Sequence, residues 1–177
     1  MHRKRRPQWL CERRGLSEHQ PSCAARHYRH TGPKIISSGT SMTLSPIPEG
    51  FRPFTSRGRY TEKIGPLYYR EEGDSFTYGF LADEGHANAN GIVHGGMLIS
   101  FLDEALGQII WRSVDRQRCA TISLNCDFVA SAKPGDWIET RATISKRGLA
   151  VVFIRGELVV GDRTILIADG IWKIIGK

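Results

Sequence analysis

Asn88, His94, Gly95, Gly96 and Asp103 fall in one short run, HANANGIVHGGMLISFLDE from His86 to Glu104. The run is polar up to His94-Gly95-Gly96 and then turns apolar, the pattern of a loop that opens into a helix. A helix start presents backbone N–H groups without partners and a partial positive charge, so it can hold an anion or a developing oxyanion. Gly95 and Gly96 lack a Cβ, which would let a substrate press against the backbone. Asp103 lies inside the apolar stretch, where a carboxylate is costly unless solvated, paired or used. Its possible uses are as a base toward water or as a direct nucleophile.

The spacing carries a second inference. Asp103 follows His94 by nine residues. At about 100° and 1.5 Å per residue, that is about two and a half turns and ~13–14 Å, so the two ends point to opposite sides. Gly95 and Asp103 of one chain cannot meet around one small reacting group. If both serve one reaction, each comes from a different subunit, and the motif predicts a site at a symmetric dimer interface.

The elements that must position these residues are legible too. A helix is expected from about Gly95 to Ser113, with Leu98, Phe101, Leu102, Ala105, Leu106, Ile109 and Ile110 on one broad arc and Ile99 joining it. So wide an arc predicts a largely enclosed helix, with Asp103 at its border next to Gly107. Two strands, around Leu67–Arg70 and Ser75–Leu81, flank the turn signal Glu71-Glu72-Gly73-Asp74. Residues 42–56 read as an extended lead-in. After Arg118 come four strands, Ala120–Val129, Trp137–Ile144, Ala150–Val160 and Thr164–Ile174, separated by short Gly- or Pro-bearing links. Neighbours are expected to pair as a four-strand antiparallel meander. The whole is an α+β domain, a curved antiparallel sheet wrapped round one long central helix.

This order, with Asn88 six before His94-Gly95-Gly96 and Asp103 nine after His94, resembles the hotdog-fold acyl-CoA thioesterases of the phenylacetate-pathway (PaaI-like) type. The likeness extends through Thr121-Ile122-Ser123-Leu124-Asn125-Cys126-Asp127-Phe128 and Ala132-Lys133-Pro134-Gly135-Asp136, and covers roughly residues 45–175. It implies hydrolysis of acyl-CoA to free acid and coenzyme A, with no metal or redox cofactor. Asp103 is then base or nucleophile, the Gly95 N–H an oxyanion donor, Asn88 a second donor, and Thr121 a partner of the attacking water. His94 either helps the thiolate leave or fixes the loop. The resemblance also implies a homodimer with Asn88, His94 and Gly95 from one chain and Asp103 and Thr121 from the other, two such dimers forming a tetramer. Lys133, Lys146 and Arg147 are candidates to hold the coenzyme A phosphates, with backbone approach at Gly96 and Gly148. Each has an ordinary reading as well: a solvated helix Asp, a helix-entry glycine, a loop Asn bonded to its own backbone, solvated turn cations. A non-catalytic acyl-CoA-binding module is the alternative for the whole domain.

Composition bounds the rest. The 177 residues suit one domain with a sizeable core. The net charge of +7 sits entirely in residues 1–41, which hold nine basic residues and two acids; the remainder is balanced at 16 of each. Residues 1–41 therefore read as a basic, disordered arm preceding a domain at 42–177. The arm could bind nucleic acid or acidic surfaces electrostatically, act as a transit segment, or precede a natural start at Met42, the reading favoured here; no specific nucleic-acid partner is expected. No run of about 18 apolar residues predicts a membrane span. Cys119 and Cys126, seven apart on one predicted strand, are expected on opposite faces as free thiols, which suits a reducing cytoplasm. His86 and His94 have no third ligand in view, so no metal site is expected.

Overall fold

The computed structural model describes residues 47–55 and 58–176. The basic arm lies outside them. In chain order the elements are β1 (Arg52–Pro53), α1 (Arg59–Ile64), β2 (Tyr68–Glu72), β3 (Ser75–Leu81), a 3-10 turn at Glu84–His86, α2 (Gly95–Ser113), β4 (Cys119–Phe128), β5 (Trp137–Arg147), β6 (Val151–Val160) and β7 (Arg163–Ile174). The strands form one antiparallel sheet in the order β1-β2-β3-β5-β6-β7-β4. No described helix is long and apolar enough to cross a membrane.

Helix α2 lies where the 3.6-residue period puts it. Phe101, Leu102, Leu106 and Ile110 are fully buried and join Phe80, Ile138, Ile154, Leu158, Leu166 and Trp172 in one core. Gly156 on β6 lets the helix come close, since a Cβ there would lie 3.0–3.3 Å from the Leu106 and Leu102 methyls. The enclosed stripe is narrower than the apolar pattern suggested. Ile99 is exposed, and Ile109 is only half-buried at the margin of the core.

The expected antiparallel meander holds from β5 through β6 to β7 and is corrected for β4. β4 does not pair with β5; it pairs with β7, and β5 pairs with β3 and β6. The 129–136 link is no hairpin. Val129 and Ala130 donate to the Ile165 carbonyl, holding the chain against β7 as it leaves β4. It then crosses the helix entrance, where Val93 donates to the Ala132 carbonyl, and reaches β3, where Ala82 donates to the Asp136 carbonyl. This crossing leaves β4 at the edge of the sheet.

β4 also contains a bulge. Thr121 pairs with Trp172 and Ser123 with Ile171, so Ile122 is an extra residue. A bulge shifts the side-chain alternation by one. Cys119, Thr121, Leu124 and Cys126 therefore share the helix-facing side, opposite buried or inward residues of β7. The two cysteines were expected on opposite faces; the bulge puts them on one. Both are free thiols.

Candidate active site

Thr121 Oγ1 donates a 2.7 Å hydrogen bond to Asp103 Oδ1. Asp103 is half-buried, and among the described residues no cation pairs with it. The hydroxyl fixes one carboxylate oxygen and leaves the other free. Beside this pair opens a cleft of about 1060 Å³, walled by Gly107, Trp111, Arg118, Cys119, Trp172 and Tyr69. Gly107 and Trp111 line this cleft, whereas Ile110 between them is fully buried in the core. Glu104, next to Asp103, accepts a 3.2 Å bond from Gln108 Nε2.

The start of α2 is built around His94. Its Nδ1 accepts from the Gly96 N–H at 2.9 Å, and its carbonyl accepts from Met97 and Leu98. A neutral imidazole that accepts at Nδ1 carries its proton on Nε2. The His94 N–H donates to the His86 carbonyl at 2.8 Å, tying the entrance to the 3-10 turn. Among the described residues the Gly95 N–H has no partner, so it is the one donor of this first turn left for a ligand.

The two glycines make room for rings of their own chain. A Cβ on Gly95 would lie 3.0 Å from the Phe128 ring, and one on Gly96 would lie 3.0 Å from His94 Nδ1. Phe128 and His94 thus border the two glycines, of which Gly95 is half-buried and Gly96 exposed. What Gly95 offers is its N–H.

Asn88 sits half-buried in the loop before the helix. Its Oδ1 accepts from the Asn90 N–H at 2.8 Å and its own N–H donates to the Ile92 carbonyl at 2.8 Å. Its side-chain amide nitrogen has no partner among the described residues and remains a donor.

The structure brings Asp103 and Thr121 together, and separately Asn88, His94, Gly95 and Gly96. Within one chain the two groups stay apart, since eight helical residues span about 12 Å. The cations also fall into two sets. Lys133 precedes β5, in a turn where its N–H donates to Asp136; Lys146 and Arg147 close that strand, and Arg147 pairs with exposed Asp115 at 3.5 Å. Nine residues of this strand, Trp137 to Ser145, lie between the sets, roughly 30 Å at ~3.3 Å per residue, so they cannot grip one phosphate cluster within a protomer. At Gly148 a Cβ would meet the Val151 carbonyl at 3.0 Å, so its missing side chain serves the β5–β6 turn.

Sequence reasoning missed Cys119 and Phe128. Cys119 follows Arg118 into the cleft, and burial, reinforced by the Asp103 charge, pushes its thiol pKa up. Burial likewise raises that of Cys126, with Asp127 and Asp103 adding to it. Neither thiol is thereby made a better nucleophile. Phe128 had a signal only in being aromatic at a strand end.

An acid on a central helix, an open helix start and a sheet wrapped round both define a hotdog-fold hydrolase. The model of the Thioesterase superfamily matches residues 90–167. PA0474 of Pseudomonas aeruginosa, which bears an esterase name, is 30% identical over 130 residues, covering 72% of this chain and 97% of that relative. Among solved structures, a phenylacetic acid degradation-related protein of Ralstonia eutropha JMP134 superposes with a TM-score of 0.61 at 24% identity, over 68% of this chain and 92% of that one. PaaI from the E. coli phenylacetic acid degradation operon gives 0.61 at 17% identity, over 68% and 86%. BH2602 of Bacillus halodurans, solved with CoA, gives 0.58 at 24% identity, over 65% and 76%. The chain belongs to the thioesterase superfamily, and its general chemistry is thioester hydrolysis.

Proposed function

We propose that this chain hydrolyses acyl-CoA thioesters to free acid and coenzyme A, at sites formed across a homodimer that pairs into a tetramer. The observation that carries the reading is the Asp103–Thr121 bond at the mouth of a cleft, with one carboxylate oxygen free. The unpaired Gly95 N–H and the Asn88 amide are the matching electrophilic half; Gly95 sits about 12 Å from Asp103 along the same helix, and Asn88 lies in the loop that precedes it. A second protomer supplies them. Edge strand β4, with Ile122 and Phe128 and the adjoining Val129 each more than half exposed, is the surface for it.

The chemistry follows from the parts. The thioester oxygen accepts from Gly95 N–H and Asn88 of one protomer, which stabilise the oxyanion. Asp103 of the other either takes a proton from water as that water adds to the carbonyl carbon, or adds to the carbon itself to give an anhydride that water then opens. Either way the C–S bond breaks, the thiolate is protonated to coenzyme A, and the acid is released. The Nδ1 cap supports the loop-fixing role for His94. The acyl group enters the cleft by Gly107 and Trp111. CoA in the Bacillus halodurans neighbour supports a CoA leaving group here. The free thiols fit a reducing cytoplasm.

The test is a panel of short, medium and aromatic acyl-CoAs with thiol release as readout, run on the full chain and on Asp103→Asn. Asn keeps the shape but is neither basic nor nucleophilic, so turnover is expected to fall about 100-fold or more. Binding without release from any substrate would establish the non-catalytic module instead.

A further inference from the structure

Phe128 stands at the far end of β4 from Thr121, yet both face the helix. They are seven residues apart, an odd number that on a regular strand would put them on opposite faces. The bulge at Ile122 cancels the mismatch: Thr121 pairs with buried Trp172, and Phe128 with buried Leu166. One strand thus touches both chemical ends of α2, Thr121 at Asp103 and Phe128 at Gly95. Phe128 remains 52% exposed even while its ring packs on Gly95.

We propose that Phe128 of each protomer forms a wall of the partner's Asp103 site, and that the Ile122 bulge sets the strand register that carries it there. This rests on the proposed dimeric thioesterase. The Gly95 end of one protomer can meet the Asp103 end of the other only if the two β4 edges run antiparallel, and the register that opposes Thr121 to the partner's Phe128 is centred on Asn125. Antiparallel pairing of two β4 edges about Asn125 sets Leu124 opposite the partner's Cys126 and Ser123 opposite the partner's Asp127. The bulge skips Ile122, and Thr121 then falls opposite the partner's Phe128. Opposed residues share a face at every step: Leu124 and Cys126 point in with Thr121 and Phe128, while Ser123, Asn125 and Asp127 point out. Without the extra residue, Thr121 and Phe128 could not be opposed on one face.

The ring has a definite place in the chemistry. It borders the only first-turn N–H without a partner among the described residues. A carbonyl oxygen at about 2.9 Å from that nitrogen lies beside the ring. An apolar wall there keeps water from competing for the donor, which strengthens it toward the oxyanion. Phe128 is therefore a substrate-contacting residue, and Ile122 a positioning residue.

Two measurements on the full chain test this. Asn125→Cys should cross-link to a dimer on mild oxidation, because opposed strand residues lie about 4.5–5.5 Å apart at Cα, within disulfide reach; the wild-type chain, treated in parallel, should not. A dimer by mass in which Asn125→Cys stays uncross-linked overturns the register. Phe128→Ala should lose about 10-fold or more in kcat/KM with mass and melting temperature unchanged, and Phe128→Leu, which keeps apolar bulk, should retain at least half. Activity of Phe128→Ala within about twofold of wild type, while Asp103→Asn is inactive, overturns the role of the ring. So does equal loss in both Phe128 variants accompanied by loss of the dimer, which would make the ring a packing group only. If the wild-type chain releases no thiol, the enzyme reading fails while the cross-link still reports on the register.

Discussion

Thr121 and Asp103 are hydrogen-bonded across 18 residues of chain, the hydroxyl of an edge strand on the carboxylate of the central helix. A bond to a charged group is worth about 1.5–3 kcal/mol, enough to hold the side chain in one rotamer. Thr121→Ala is expected to lower kcat about 10-fold, and Thr121→Ser to restore most of it. Steady-state thiol release on the three proteins decides the matter. Equal activity in all three would mean that the bond has no part in turnover.

His94 closes the first turn of α2 through Nδ1. Loss of an N-cap acceptor costs roughly 1 kcal/mol. His94→Ala should therefore melt a few degrees below wild type, and His94→Asn, whose short side chain carries a good cap acceptor, should recover part of the difference. Thermal unfolding followed by circular dichroism makes the comparison. A variant without the imidazole that melts as wild type does would show that the cap is dispensable.

Gly107 interrupts a helix interior, where glycine costs about 1 kcal/mol relative to alanine. Nothing nearby forbids a methyl group: a Cβ would sit 3.7 Å from Trp172 Nε1, an ordinary contact. The residue lines the cleft, so under the proposed acyl-CoA hydrolysis its absent side chain would be space for the acyl group. Gly107→Ala is expected to raise the melting temperature and to lower kcat/KM for the bulkiest acyl-CoAs more than for acetyl-CoA. An unchanged substrate ranking would place the acyl group elsewhere.

The helix was readable because its apolar residues repeat at 3.6, and the last four strands because Gly or Pro punctuates each break. Asp103 stood out as an acid inside that apolar helix, and the structure places Thr121 on it. What was unreadable is non-local. The partner of β4 depends on where the 129–136 link crosses, and a turn signal such as Lys133-Pro134-Gly135-Asp136 says that the chain bends, not toward which strand. The Ile122 bulge leaves no trace in composition, and with it the facing of Cys119 was misjudged. That Phe128 borders Gly95 was equally unreadable, since the two meet only through the fold. Helix α1 is six residues long, too short for a periodic pattern, yet its Tyr60 hydroxyl bonds Ser100 on α2 at 2.6 Å.

The length of α2 between Gly95 and Asp103 has a genetic consequence. If each reaction centre draws on both ends of the helix but from different chains, damage at either end can be masked by the other subunit. A chain carrying Asp103→Asn and a chain disabled at Asn88, each inert alone, should complement when co-expressed, since each hybrid dimer keeps one centre with both halves undamaged. Thiol release from the purified hybrid, measured against each parent, shows whether function is shared between neighbours or held by every chain alone.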